Sequence, residues 1–446
     1  MLSFKYYKYY IRNKEENNLK RKIIVIFICF ILFSTTFVSI SAKNSTNESE
    51  LNIQRDILFN RVIRLLMRIG HFPSLSACII KDDEVVWAKG YGYYDIENRK
   101  PATKDTVYIA CSISKTITGT AIMQLYEQGL FELDDDVNDY LPFNLRNPHF
   151  PDESITFRML LSHSSSLNTD PESFYWLNFT EDPPISWYPY PWIEEYIVPG
   201  GGYYVSGIWN EDYPPGEPVM YSNANFVIIS YLVEILSGDS FIDYCNEYIF
   251  EPLDMEASSF SQADFDIDDI AIPYHYFRGR YLHITDLEWG DAGIPSDKYY
   301  KMMHYPVGGL HTSVFDLSHF LIAHMNNGVY NGSRILDKET VEEMHKNQPP
   351  ELGYGLAWYY SGTFYGRVFS GHEGDLPGYH NLMFLQHPEK DIGVIFFING
   401  DRYTNLRILM TKMIRNILFF KANRLDNSKF SDNEDNNSFD FDYDFI

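Results

Sequence analysis

Strand-forming sequence stands at the two ends of this chain and helix-forming sequence lies between them, and this arrangement limits the fold more than any other feature. Near the front, Leu75–Ile80 and Glu84–Tyr93 are apolar or aromatic runs separated by the polar turn Lys81-Asp82-Asp83, the pattern of a hairpin. Near the back, Gly355–Tyr360, Arg367–Ser370, Tyr379–Gln386 and Asp391–Ile398 are short runs of the same kind. Between Cys111 and Pro306 the pattern is mostly helical and loop-like. The expectation is an α+β fold, an α/β sandwich: one antiparallel sheet assembled from both ends of the chain and flanked by helices, with the insertion forming a helical lobe. Chemistry is expected in the cleft between sheet and lobe. An amphipathic helix opens the domain, with Ile53, Ile57, Leu58, Val62, Leu65, Leu66 and Ile69 at helical spacing before Gly70. A last helix from about Asp401 to Phe420 closes a domain spanning residues 50–424.

What precedes and follows that domain differs in composition. Lys5, Lys8, Arg12, Lys14, Lys20, Arg21 and Lys22 face only Glu15 and Glu16, and an uncharged stretch runs from Ile23 to Ala42. Residues 1–42 therefore read as a signal peptide, with Ser39, Ser41 and Ala42 as small residues for cleavage, or as an uncleaved single-span anchor with a cytoplasmic N-terminus. Asn-x-Ser/Thr acceptors at Asn44, Asn47, Asn178, Asn331 and Asn436 fit a glycoprotein of the secretory pathway, secreted or membrane-anchored with its catalytic domain outside the cytoplasm. The formal net charge is −25, and losing the basic leader would make it −30, so nucleic acid and anionic membrane surfaces are poor partners. Residues 425–446 are rich in Asp, Asn and Ser and read as an acidic disordered tail. Cys29 falls in the leader, which leaves Cys78, Cys111 and Cys245 and at most one internal disulfide.

Three elements carry chemistry. In Ser112-Ile113-Ser114-Lys115, at the start of a helix, a residue three positions on lies one turn away, so the Lys115 ammonium can reach the Ser112 hydroxyl. A serine hydroxyl attacks well only when a base accepts its proton, and a helix N-terminus favours negative charge on an attacked carbonyl oxygen. Tyr221-Ser222-Asn223 lies between the Pro215-Gly216 turn and the apolar helix Phe226–Leu236. A nearby lysine would favour the phenolate of Tyr221, and Asn223 can orient Lys115 or bind substrate. His372-Glu373-Gly374, with Asp375 after it, stands at the end of a strand-like run whose glycines would let a substrate backbone lie close.

These elements, in this order, resemble the active-site motifs of class C β-lactamases, penicillin-binding proteins, DD-peptidases and related esterases. The resemblance covers roughly residues 55–420 and extends to Ile155–Leu167 (ITFRMLLSHSSSL), Phe250–Met255 (FEPLDM) and Gly308–Ser313 (GGLHTS). It implies a β-lactamase/transpeptidase-like fold and an acyl-enzyme on Ser112, with Lys115 and Tyr221 sharing the acid–base work and Asn223 near the substrate. It also implies an oxyanion hole from the backbone N–H groups of Ser112 and Asp375, and a small-molecule or short-peptide substrate at Asn223, His372, Gly374 and Asp375. The chain departs from the β-lactamase pattern at His372, where those enzymes hold a carboxylate-binding lysine; a neutral histidine is a weaker anchor. Ser166 replaces a frequent glycine.

Other residues read structurally. Glu373 is expected to be solvated, Cys111 a buried small apolar residue, and Asp134-Asp135-Asp136 a turn without the glycine and glutamate of a calcium loop. No His-Glu-x-x-His occurs, so neither metal nor cofactor is expected. The aromatic stretch Phe174–Tyr213, with Trp176, Trp187, Trp192 and Trp209, either walls the cleft or packs on the lobe. A serine hydrolase of esters, amides or D-amino-acid peptides is the leading expectation. A non-catalytic scaffold and a slow-turnover penicillin binder are the alternatives.

Overall fold

The computed structural model describes residues 48–168, 191–217, 220–284, 304–348, 353–364, 367–387, 389 and 391–425. The expected leader, nearly all of the acidic tail, Trp176, Trp187 and every glycosylation acceptor except Asn331 lie outside them. In chain order the elements that frame the site are α1 (Glu48–Gly70), β1 (Ser74–Lys81), β2 (Glu84–Asp95), β3 (Lys100–Pro101), β4 (Tyr108–Ile109), α2 (Ser114–Glu127), α3 (Phe157–Leu161) and α4 (Asn223–Ser237). They continue with β5 (His311–Thr312), α5 (Val314–Met325), β6 (Tyr359–Phe364), β7 (Arg367–Leu376), β8 (Tyr379–His387), β9 (Ile392–Ile398) and α6 (Asn405–Ala422).

One seven-stranded sheet runs in the order β6-β7-β8-β9-β1-β2-β3 with antiparallel neighbours throughout. Its central seam joins the two ends of the chain, since Leu75 opposes Ile398 and Lys81 opposes Ile392. This is the expected sheet. Alternate side chains of β1 and β9 feed two separate cores. Leu75, Ala77, Ile79, Val394, Phe396 and Ile398 pack beneath α1 and α6, while Cys78, Ile80, Ile395 and Phe397 face the lobe built around α2, α4 and α5. With both faces covered, β9 is buried along its whole length and reads in sequence as an unbroken apolar run.

Two strands sit differently from expectation. The segment Gly355–Ala357 is irregular, because Ala357 takes a left-handed backbone (φ 67) and its N–H bonds to the Leu161 carbonyl of the lobe, so β6 begins only at Tyr359. β7 runs on to Leu376, held by pairing with β8 down to Leu376–Tyr379 across a two-residue turn in which Gly378 supplies φ 80. His372-Glu373-Gly374 therefore lies inside a strand, not at its end.

Candidate active site

The nucleophile turn is built at the junction of β4 and α2. The Ala110 N–H bonds to the Leu310 carbonyl at 2.7 Å, and Cys111 then adopts a left-handed backbone (φ 54) that swings the chain into the cleft. A single 3₁₀ turn, Cys111–Ile113, precedes α2, so Ser112 sits in that turn and the α-helix proper starts at Ser114. Lys115, three positions on and in the first turn of α2, lies one turn away on the same face as Ser112. The Ser114 hydroxyl fastens the turn by donating to the Cys111 carbonyl at 2.7 Å and accepting from the Leu310 N–H at 3.1 Å. Lys115 is fully buried, and its Nζ donates to Ser112 Oγ at 3.1 Å and to the Val307 carbonyl at 2.7 Å. A buried ammonium needs such partners to offset its lost hydration.

Gly374 explains itself on the opposite side of Ser112. A Cβ there would stand 2.5 Å from the Ala110 carbonyl oxygen, 2.7 Å from Cys111 Cβ and 3.1 Å from Ser112 N. The missing side chain lets β7 press against the nucleophile turn, so the backbone that approaches Gly374 is the protein's own, which corrects the expectation that this space admits substrate.

Tyr221 and Asn223 reach the same place from the entrance of α4, where Ser222 is the N-cap residue. The Lys115 Nζ stands 5.1 Å from the centre of the Tyr221 ring. Ser112, Tyr221, Asn223, His372 and Asp375 line one cavity of about 440 Å³ between sheet and lobe. All seven residues singled out from the sequence thus converge: five line the cavity, Lys115 touches Ser112 from within α2, and Gly374 packs on the turn. An amine and a phenol close to one hydroxyl can between them take up and return a proton.

His372 is no cation here. Its Nδ1 can only donate to the Glu373 carbonyl at 2.6 Å, which leaves Nε2 to accept from the Tyr354 hydroxyl at 3.1 Å. Burial, reinforced by the Lys115 charge, holds its pKa down to about 3. A neutral imidazole with both nitrogens engaged lacks the charge that a lysine offers a substrate carboxylate.

Several cavity residues escaped the sequence reading. Tyr354, Tyr359, His304 and Arg402 line the cavity, alongside Glu373, which the sequence placed in solvent. Arg402 Nη2 pairs with Glu373 at 2.7 Å and with Asp375 at 2.6 Å, so Glu373 is a partnered wall residue and not the solvated one expected. Asp375 also accepts from His380 at 2.9 Å, and its carboxyl is held below the usual range by His380 and Arg402 against the opposing effect of burial. No local signal in the sequence connects Arg402 to β7; only the sheet register does. Cys78, Cys111 and Cys245 are free and buried, and burial raises the Cys111 thiol well above its ordinary value, with Asp375 adding to the effect. Trp192 and Trp209 pack in the lobe core, and the acidic turn pairs Asp134 with Arg158 and Asp136 with Arg146. Ser166 has φ 67, the conformation that favours glycine, and its hydroxyl bonds to Asn147 and to the Tyr213 carbonyl. Among the described residues no group of three or more His, Cys, Asp or Glu is placed to hold a metal ion.

Four histidines around this site are buried and neutral. Burial lowers His304 and His372 to about 3, His311 to about 4 and His163 well below its ordinary value, with Lys115 adding to the shift for all but His311. An unfolded chain takes up protons at these positions near pH 6.5, whereas the folded chain does not. Their contribution to stability is therefore complete above pH 6.5 and is lost as pH falls towards 3–4, at about 1.4 kcal/mol per histidine per pH unit. Urea unfolding at pH 7.5 and pH 5.5 should show the protein markedly less stable at the lower value; equal midpoints would contradict these neutral assignments.

The solved structure of the octameric penicillin-binding protein homologue from Pyrococcus abyssi superimposes with a TM-score of 0.61 at 28% identity, covering 80% of this chain and 76% of that one. D-amino acid amidase from Ochrobactrum anthropi SV3 gives a TM-score of 0.63 at 20% identity, covering 82% of this chain and all of that one, which shows a shared fold. Protein flp of Staphylococcus aureus (strain MW2) is 24% identical over 365 residues, or 79% of this chain. The chain spans 64% of the length of that relative. Residues 59–417 match the family Beta-lactamase, with the nucleophile turn, the α4 entrance and β7 all inside the matched span, and the chain belongs to that family.

Proposed function

We propose that the protein is a serine hydrolase that forms an acyl-enzyme on Ser112. The observation that carries this reading is the 3.1 Å bond between Lys115 Nζ and Ser112 Oγ at the floor of a cavity, with the Tyr221 ring 5.1 Å from the same ammonium. In the forward step the Lys115–Tyr221 pair, holding one proton fewer than an ammonium plus a phenol, takes the Ser112 proton as Oγ bonds to the substrate carbonyl carbon. The carbonyl oxygen, now negative, is held by the backbone N–H groups of Ser112 and Asp375. The pair then returns the proton to the departing alcohol or amine, and water attacks the acyl-Ser112 by the reverse path.

Small carboxylic esters and amides, including those of D-amino acids, are the proposed substrates, and the domain acts outside the cytoplasm. The amidase likeness supports the amide class, and neutral His372 argues against carboxylate-anchored β-lactams as preferred substrates. A kinetic panel tests the ranking. Purified full-length protein should hydrolyse an aryl ester and a D-amino-acid amide with kcat/KM at least about tenfold above that for a penicillin. Penicillin turnover above both would reverse the ranking, and penicillin acylation without turnover would favour a slow-turnover binder.

A further inference from the structure

His163 belongs to the lobe segment that follows α3 and lies outside the cavity lining, yet it contacts Tyr221 and both of that residue's chain neighbours. Its backbone carbonyl accepts from the Met220 N–H at 2.8 Å. Its Nδ1 accepts from the Ser222 N–H at 3.3 Å and from the Asn225 side chain at 3.2 Å. Its ring lies on the Tyr221 ring, with centroids 4.4 Å apart and planes 34° apart. The residues on either side of Tyr221 are thus tied to one histidine, and the phenol between them rests on its imidazole.

The geometry points to His163 as the positioning residue for Tyr221, and this assignment rests on the proposed role of Tyr221 in proton transfer. A backbone N–H can only donate, so Nδ1 carries no proton and the hydrogen sits on Nε2, which is buried and has no hydrogen-bond partner. Tyr354 closes the other side with its ring edge-on to His163 at 5.0 Å, and His372 lies 6.2 Å from Tyr221. Among the described residues Lys115, His163, His372, Tyr354 and Tyr359 face Tyr221, and Lys115 is the charged group of that set. His163 itself sits at φ 57, a conformation that histidine and asparagine tolerate better than most residues and one that directs its ring back over the 220–222 turn. A neutral ring here fixes the phenol without adding a competing charge beside Lys115.

Two substitutions separate the contacts. His163→Asn keeps an acceptor where Nδ1 stands and removes the ring, and His163→Phe keeps a ring and removes the acceptor. In full-length protein, each is expected to label fully on Ser112 with a fluorophosphonate and to keep KM for an aryl ester within about twofold. Each should lower kcat by about tenfold or more and displace the pH profile of kcat/KM. Hydrogen exchange of the Ser222 amide should quicken in His163→Phe and stay slow in His163→Asn. The assignment is overturned if kcat stays within about twofold of wild type in both variants, or falls only in proportion to the labelled fraction. If wild-type Ser112 takes no label, the hydrolase reading fails, and the Ser222 exchange rates still decide whether His163 holds the turn.

Discussion

Lys115→Met should lower kcat/KM for ester hydrolysis by about three orders of magnitude while the protein remains folded. The methionine side chain fills nearly the same space, and replacing a buried ammonium by an apolar group removes a desolvation cost along with the attraction it balanced. What it leaves behind is the Val307 carbonyl, now short of the 2.7 Å donor that Lys115 supplied, at a cost of about 1–3 kcal/mol. Activity should therefore collapse far beyond any change in unfolding midpoint. Parallel loss of both, restored together at low temperature, would instead make Lys115 a structural residue.

Ser112→Ala should be more severe, removing about five orders of magnitude or more of turnover. Ser112 is not part of either core: its hydroxyl accepts from Lys115, and Lys115 retains the Val307 carbonyl when that hydroxyl is gone. The circular dichroism and thermal midpoint of this variant should match wild type. Residual hydrolysis above a few per cent of wild type would show that some other group attacks the substrate.

The sequence disclosed the parts of this molecule whose signals are local. The hairpin β1–β2 and the buried run of β9 are readable because each strand carries its own apolar pattern, and the Ser112–Lys115 pair because i,i+3 spacing is itself geometry. Less legible were features set by distant partners. β5 is only two residues long and exists because Thr312 opposes Tyr108 across the whole inserted lobe, so no periodicity announces it, whereas Thr106–Ala110, which holds β4, is strand-like in sequence. The start of β6 shifted because a left-handed Ala357 and its bond to Leu161 belong to tertiary packing. In the same way, Gly374 looked like a substrate-facing glycine until the nucleophile turn was found against it, and Glu373 looked solvated until Arg402 arrived from the far end of β9. His163 was visible only as one residue of a familiar stretch, since its contacts to both flanks of Tyr221 form across more than fifty positions of chain.

The central claim is that Ser112 is the residue acylated, and one measurement addresses it directly. Full-length wild type and Ser112→Ala are exposed to a fluorophosphonate, followed by intact mass and peptide mapping. A single adduct on wild type, mapped to the peptide holding Ser112 and absent from the variant, is the predicted result; equal modification of both proteins, or of neither, would contradict it.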